Sequence, residues 1–285
     1  MTGETDSGLS FGVSVDLDEA GNLGDSTDNN GTAIFLSGAF GTLTVGNTDG
    51  AMDFALTEIV GPGSLTDQET SHDGFKGSYL DGSYDGQIAR YDYTAGDLSV
   101  AVSAEILDAD AVGRSSGYGF GVKYALGNIT LGAGYQAADS LSAAFGGNAA
   151  AAEVVTPTTA TTNTVTAAVA ATVAEVDATG VSVSGTFGAV TAGITYTAYD
   201  SSIAAFDATH TSVGISYTQG AMTIGANYGD FDSDTNAQDR DGMALTANYS
   251  LGGGATLQAG YETSDGGAAG ADRGDSWSLG LAMSF

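Results

Sequence analysis

The sequence predicts an all-β fold: a transmembrane antiparallel up-and-down β-barrel formed by one domain, residues 1–285. Apolar residues alternate with small or polar residues through most of the chain, which is the period of a β-strand. Very short glycine turns alternate with long polar connections, as at the two rims of an outer-membrane barrel. Tyrosine and phenylalanine recur near both strand ends, which are the positions of interfacial aromatic residues in membrane proteins.

The composition excludes several functional classes. A net charge of −29 lacks the basic footprint of nucleic-acid-binding proteins and favours a protein that attracts cations. The absence of cysteine excludes disulfides, thiolate metal sites and cysteine nucleophiles. No apolar run reaches the length of about 18 residues that a transmembrane helix needs, whereas a transmembrane strand needs only about 9–11 residues.

The first regular strand is predicted at Leu9–Leu17, after a turn over residues 3–8. An acidic connection follows, and residues 32–48 have the pattern of two strands around a tight glycine turn. The register of the first of these two strands is ambiguous, because three of its apolar residues are consecutive: Ile34, Phe35 and Leu36.

Residues 49–86 interrupt the alternation. The segment is rich in acidic residues and sustains neither the strand period nor the helix period. A loop of this length is uncommon in a compact domain and is usually functional or disordered. We predict that it folds into the lumen of the barrel and narrows it.

The remainder of the chain is a repeat. Longer, mostly Asp-rich segments join units that each contain a very short turn, which gives about 14 strands in total, an even number as in bacterial barrels. The Ala/Thr-rich segment 138–173 is predicted as one long outer loop, with a further hairpin inside it as the alternative. The five most similar units begin at Tyr93, Tyr124, Gly185, Tyr217 and Tyr249.

Alternation alone does not show which face is wet, because a secreted all-β adhesin with an ordinary core has the same pattern. Two features favour lipid on the apolar face. Only 14% of the residues are charged, and the other face carries very small residues, which suit a wide water-filled lumen. The chain also ends WSLGLAMSF, with every large residue on one face. The small-face residues are Gly119, Gly121, Gly132, Gly134, Ser182, Ser184, Gly193, Gly214, Gly225 and Gly280.

At TDSGLSFGVSV, TAIFLSGAFGTLTVGN, RYDYTAGDLSVAVS and the terminal aromatic residue, the sequence resembles the general diffusion porins of alphaproteobacteria. The resemblance covers almost the whole chain except the Ala/Thr-rich segment. It implies a homotrimer of barrels of about 16 strands in the bacterial outer membrane, whose third outer loop folds inward at residues 49–86. Because the sequence begins where the family's second strand ends, we expect its first one or two strands to be absent.

Ten residues are candidates for the pore constriction. Acidic side chains of the loop would raise the local cation concentration, although a solvated acidic surface loop has the same composition. Two basic residues share the small-residue face of their strands, and the resemblance places them on the wall that faces the loop; ion pairs near the rim are the alternative. With 6 basic against 35 acidic residues, we expect a preference for cations. The candidates are Asp49, Asp53, Glu58, Asp67, Glu69, Asp73, Asp81, Asp85, Arg90 and Lys123.

Calcium is the one cofactor that the sequence suggests, and no cofactor is expected to be required. Asp230, Asp232, Asp234 and Asn236 alternate as in calcium loops. An EF-hand is not expected, because the glycine and glutamate that it requires are replaced, the latter by Asp241. A loose calcium site in an acidic outer loop is therefore the candidate.

No motif of a hydrolase, metalloprotease or nucleotide-binding enzyme is present, so we expect no enzymatic activity. The two histidines, His72 and His210, lie in the long loop and at a strand start. The predicted function is a passive channel for small hydrophilic solutes and ions, surrounded by outer-membrane lipid. The alternative is a structural or adhesive outer-membrane barrel whose acidic surface loops bind Ca²⁺.

Overall fold

The structure, a computed structural model of the chain, describes residues 1–15, 32–57, 72–75, 78–80, 87–106, 116–140, 174–202, 207–234, 239–266 and 272–283. In these ranges 15 strands form one sheet, and each strand pairs antiparallel with its neighbours in the chain. This confirms the predicted all-β, up-and-down architecture. In the same ranges β1 pairs only with β2 and β15 only with β14, so the two edges of the sheet are not hydrogen-bonded to each other.

The strands are β1 Thr2–Glu4, β2 Ser10–Val15, β3 Thr32–Gly38, β4 Gly41–Gly46, β5 Gln87–Ala95, β6 Leu98–Ile106, β7 Tyr118–Leu126, β8 Ile129–Ser140, β9 Ala174–Phe187, β10 Val190–Ser201, β11 Ala208–Gln219, β12 Met222–Ser233, β13 Arg240–Gly252, β14 Ala255–Gly266 and β15 Asp272–Met283. Helical structure is confined, in the described part of the chain, to α1 Ala51–Ala55 and the 3₁₀ turns Asp73–Phe75 and Ser78–Leu80. None of these described helices is long and apolar enough to span a membrane.

The described part of the chain has 15 strands, where we expected about 14, and the strand that was not predicted is β1, Thr2–Glu4. The prediction of a turn from residue 3 is wrong at its start, because Thr2–Glu4 pairs with β2 and the amino group of Met1 donates to the carbonyl of Val13 at 2.7 Å. Three residues are too few to show a period of two. At the other uncertain segment, β8 extends to Ser140, while residues 141–173 lie outside the described residues.

The short turns have a common construction. Four of them are two-residue loops whose first residue is a glycine with φ between 60° and 64°. Glycine adopts this left-handed conformation without the steric cost of a Cβ, and Gly-X is typical of the type II′ turns of β-hairpins. The repeat seen in the sequence is therefore a repeat of hairpins, with these turns at Gly96, Gly127, Gly188 and Gly220.

The two faces of the sheet differ as the sequence predicts. The register between β2 and β3 pairs Val13 with Ile34 and Phe11 with Leu36, and the side chains of Phe11, Ile34 and Leu36 are exposed. The main buried cluster lies on the opposite, small-residue face, where segments of the long loop pack on the wall. The apolar rows of the strands do not meet in a dry centre, which excludes the alternative of a secreted protein with an ordinary core.

The wall is uneven in height. Strands β2, β3 and β4 have 6, 7 and 6 residues, whereas β8 to β15 have 12 to 14 residues. One side of the sheet is therefore about half as tall as the other.

Candidate functional site: the inward-folded loop

The loop between β4 and β5 lies on the small-residue face of the sheet. Helix α1 packs on β5 to β8, the first 3₁₀ turn packs on β11 to β14, and the second contacts β8 and β9. The loop therefore reaches wall segments that are far apart in the sheet. We call residues 51–57, which pack on β5 to β10, the proximal anchor. Residues 72–75, which pack on β11 to β14, are called the distal anchor.

Glycines of β7 and β8 make room for α1. A methyl group added at Gly121 would overlap the carbonyl oxygen of Ala51, and one added at Gly134 would lie 2.8 Å from Cγ of Met52. A methyl group added at Gly132 would likewise overlap the carbonyl oxygen of Ala55. We call Gly121, Gly132 and Gly134 the glycine seat. From the sequence we attributed these small residues to a wide lumen, and in the structure they accommodate the loop.

Hydroxyl groups of the wall satisfy the backbone of the proximal anchor. The amide of Ala51 donates to Oγ of Ser103 at 2.9 Å, and the amide of Thr57 donates to Oγ of Ser182 at 3.0 Å. The carbonyl of Thr57 accepts a hydrogen bond from the hydroxyl of Thr195. Buried backbone groups need such partners, so these serines and threonines fix where α1 begins and where the segment ends.

The two basic candidates lie beside α1. The ring of Phe54 has the guanidinium carbon of Arg90 5.1 Å from its centroid and the ammonium nitrogen of Lys123 4.8 Å from it. Arg90 also donates to the carbonyl of Asp49 at 3.0 Å, and Asp53 lies within electrostatic reach of Lys123. Arg90 and Lys123 therefore stand on the wall that carries α1, whereas the resemblance placed them on the wall facing the loop. The reason is topological, because the helix that follows β4 packs on the next strands of the sheet.

Both histidines of the chain lie at the distal anchor, His72 in the loop and His210 on strand β11 of the wall. Nε2 of His72 lies 2.7 Å from Oδ1 of Asn227, and Nε2 of His210 lies 2.8 Å from the carbonyl oxygen of Gly74. The ring of Phe75 lies between the two imidazoles, with centroid distances of 4.9 and 5.4 Å. Burial lowers the pKa of His72 below its ordinary value of 6.5, against weaker opposing effects of Asn227 and nearby carboxylates. We call His72 and His210 the histidine clamp.

A strained residue follows the distal anchor. Tyr79 has φ of 55° in the second 3₁₀ turn and is fully buried, and its amide donates to the phenol oxygen of Tyr199 at 2.9 Å. A left-handed conformation costs a non-glycine residue about 1–2 kcal/mol. The surrounding packing and the bond to Tyr199 must offset that cost.

The described candidates of the constriction do not form one cluster. Asp49 is exposed near Arg90, Asp53 is half-buried on α1, and Asp73 is half-buried in the distal anchor, where its amide donates to Oγ of Ser264 at 3.0 Å. The five remaining acids lie outside the described residues: Glu58, Asp67, Glu69, Asp81 and Asp85.

The calcium candidates lie on the outward face at the loop end of β12. Asp230 and Asp232 are exposed and share that face with Tyr228, and Asp234 follows the strand. Within the described ranges, no group of three or more histidine, aspartate or glutamate side chains is arranged to hold a metal ion. Calcium binding stays a prediction, and Asn236 lies outside these ranges.

Sequence reasoning missed the residues that hold the loop. Phe54, His72, His210 and Ser103 were not candidates, because each is unremarkable among its sequence neighbours. A usable signal existed for His210, which has the parity of the small residues Ser212 and Gly214 and so points to the same face. No comparable signal links it to His72 or Gly74, which lie far away in the chain.

Comparisons with known proteins agree with this architecture. The model of the Gram-negative porin family matches residues 1–269. A porin from Rhodobacter capsulatus is 36% identical over 152 residues, which covers 49% of this chain and 47% of that protein. The chain thus matches about half the length of this curated relative.

Solved structures show the same fold. A porin structure refined at 1.8 Å resolution superposes with a TM-score of 0.69 at 24% identity and covers 100% of this chain and 90% of the other. The trimer form of OmpT, an outer membrane protein of Vibrio cholerae, gives a TM-score of 0.63 at 16% identity, with 99% and 88% covered. With the family match over nearly the whole sequence, the chain belongs to the Gram-negative porin family.

Proposed function

We propose that the chain forms a passive channel for small hydrophilic solutes and ions in the bacterial outer membrane. The family match supports a channel in that membrane and not an enzyme. The observation that carries the proposal is the inward course of the loop, which packs on the small-residue face while the apolar rows are exposed on the other. Such a wall surrounds water with its small residues, and the loop sets the size limit for solutes.

Planar-bilayer recording tests the channel directly. Purified protein should produce stepwise, ohmic conductance increases at neutral pH, because the lumen is open to ions without a transport cycle. Protein that inserts into the membrane but gives no ion-permeable steps would contradict the channel and favour a structural or adhesive barrel.

The proposed channel prefers cations. Asp49, Asp53 and Asp73 lie on the described part of the loop, and field focusing in a narrow lumen raises the concentration of the opposite charge. Two basic residues, Arg90 and Lys123, lie on the same side. The reversal potential across a KCl gradient should have the sign of K⁺ selectivity, and the opposite sign would contradict the preference.

The proposed assembly is a homotrimer. A six-residue strand such as β2 or β4 rises about 15 Å at about 3.3 Å per residue and a tilt near 40°, against an apolar band of about 25 Å. The strands of 12 residues reach about 30 Å by the same arithmetic. The short side therefore needs protein rather than lipid beside it. Cross-linking in mild detergent should give a limiting mass of three chains of 28.2 kDa, and a monomer under those conditions would contradict the trimer.

A further inference from the structure

We propose that His72 and His210 act as a pH-sensitive clamp, which holds the distal anchor of the loop to the barrel wall at neutral pH and releases it in acid. The effect on current rests on the proposed channel function. The clamp itself follows from how the two imidazoles are bonded and enclosed.

His210 is held in one neutral tautomer. Its Nε2 lies 2.8 Å from the carbonyl oxygen of Gly74, and a carbonyl can only accept, so Nε2 carries the proton. The other ring nitrogen, Nδ1, is then unprotonated. It is buried and has no hydrogen-bond partner among the described residues.

His72 has the same arrangement. Its Nε2 donates to Oδ1 of Asn227 at 2.7 Å, which leaves Nδ1 without a proton. That atom is also buried and without a partner in the described part of the chain. Gly242 lies against it, so closely that a methyl group added there would be 2.6 Å from Nδ1. A proton added at Nδ1 would therefore have no hydrogen-bond acceptor in place among the described residues.

The packing around the rings leaves little room to adapt. Phe75 fills the space between them, Phe231 lies 6.3 Å from the ring of His210 on another side, and Tyr79 lies 6.5 Å away. The backbone of Gly74 meets that of Gly229 so closely that neither position has space for a methyl group. A buried cation without an acceptor is costly, so protonation favours the released loop.

The charged groups around the clamp act in both directions. Asp73, Asp241 and Glu262 lie near His72 and favour its protonated form. Arg240, whose guanidinium carbon is 4.1 Å from the centroid of Phe231, repels a positive charge on His210, as does a protonated His72. For His72, burial outweighs the carboxylates, and its pKa is below the ordinary value.

The sign of the pH effect follows. The released loop exposes His72, which then binds a proton more readily than the docked side chain. Docking is therefore complete above the ordinary histidine pKa of 6.5 and weakens as the pH falls below it. The ratio of docked to released loop falls by up to about tenfold per pH unit for each histidine that takes up a proton.

Single-channel recording between pH 7.5 and pH 4.5 tests the clamp in wild type and in the double variant His72→Gln, His210→Gln. Glutamine keeps an N–H donor and does not titrate, and the double variant contains no histidine because the chain has only two. In wild type, transitions to subconductance states should become more frequent as the pH falls below 6.5, by at most about tenfold per pH unit for each histidine that takes up a proton. The double variant should show none of this increase, and equal pH profiles would overturn the proposal.

A cross-link tests the clamp without changing a histidine. The chain has no cysteine, so the variant Asp73→Cys, Ser264→Cys can form one disulfide within a chain, at a contact of 3.0 Å between the Asp73 amide and Oγ of Ser264. The oxidised variant should lose the acid-induced transitions, and reduction should restore them. Transitions that persist in the oxidised variant would overturn the clamp, whereas protein without conductance at pH 7.5 would contradict the channel itself.

Discussion

The loop is held at two places that differ in chemistry. The proximal anchor rests on the glycine seat, and its backbone bonds go to serine and threonine hydroxyls, none of which titrates near neutral pH. The distal anchor rests on the histidine clamp and on aromatic rings. One loop thus combines an attachment that is insensitive to pH with one that senses it, so its two ends need not move together.

Adding volume at the glycine seat should have the largest effect. Gly121→Val would place its side chain against the carbonyl of Ala51, which is backbone and cannot move aside easily. We expect α1 to be displaced at a cost of about 1–3 kcal/mol or more, with a changed single-channel conductance. Ala125→Ile also adds three carbon atoms on the same strand and face, at an exposed position, and is the control. Equal conductances for the two variants would show that the seat does not hold α1.

Removing one hydroxyl beside the distal anchor should have a smaller effect. Tyr199→Phe deletes the acceptor of the amide of Tyr79, a buried group whose lost bond costs about 1–3 kcal/mol. Limited proteolysis of folded protein in detergent should cut the loop faster in this variant. Tyr217→Phe, on the exposed outer face, should be cut at the wild-type rate. If the loop of Tyr199→Phe is cut at the wild-type rate, the bond between Tyr79 and Tyr199 does not hold the loop in place.

Replacing the aromatic ring of α1 tests how the proximal anchor positions the basic side chain beside it. Phe54→Leu removes two cation–π contacts, each worth about 0.5–2 kcal/mol. Arg90 stays held by the carbonyl of Asp49 and by the carboxylate of Asp92, whereas Lys123 loses its ring contact and can extend into the lumen. We expect weaker cation selectivity, measured as a smaller reversal potential in a KCl gradient. The variant Phe54→Tyr keeps the ring and should keep the selectivity. A reversal potential unchanged in Phe54→Leu would mean that the ring does not position the charge of Lys123.

The pH dependence of unfolding should give the smallest effect. The pKa of His72 is lowered in the folded protein, so its contribution to stability is present above pH 6.5 and is lost as the pH falls toward the lowered value. The loss is at most about 1.4 kcal/mol for each pH unit by which the pKa of His72 is lowered. Urea unfolding at pH 7.5 and pH 5 should therefore separate wild type from His72→Gln, which lacks this dependence. An equal pH dependence in both proteins would contradict the burial of a neutral His72.

The sequence predicted the strands of the sheet better than the contacts of the loop that packs on them. Period-two alternation and Gly-X turns are local signals, and they located the hairpins, whereas the three residues of β1 carry too little pattern. The inward course of the loop was predicted from its length and composition, and the family resemblance implied it as well. Which side chains hold it depends on the register of distant strands, so neither the glycine seat nor the pairing of His210 with Gly74 could be deduced. Arg90 and Lys123 were assigned to the correct faces of their strands, but their neighbour Phe54 was not foreseen.

The distances along the chain between the loop and its partners constrain the order of assembly. Thr57 bonds a residue 125 positions later, His72 one 155 positions later, and Asp73 one 191 positions later. The loop is synthesised before the strands β9 to β14 that receive it, and contacts between distant positions form slowly because long segments must first be brought together. The loop can only be seated once those strands have joined the sheet, so its docking is a late step that completes an otherwise formed barrel.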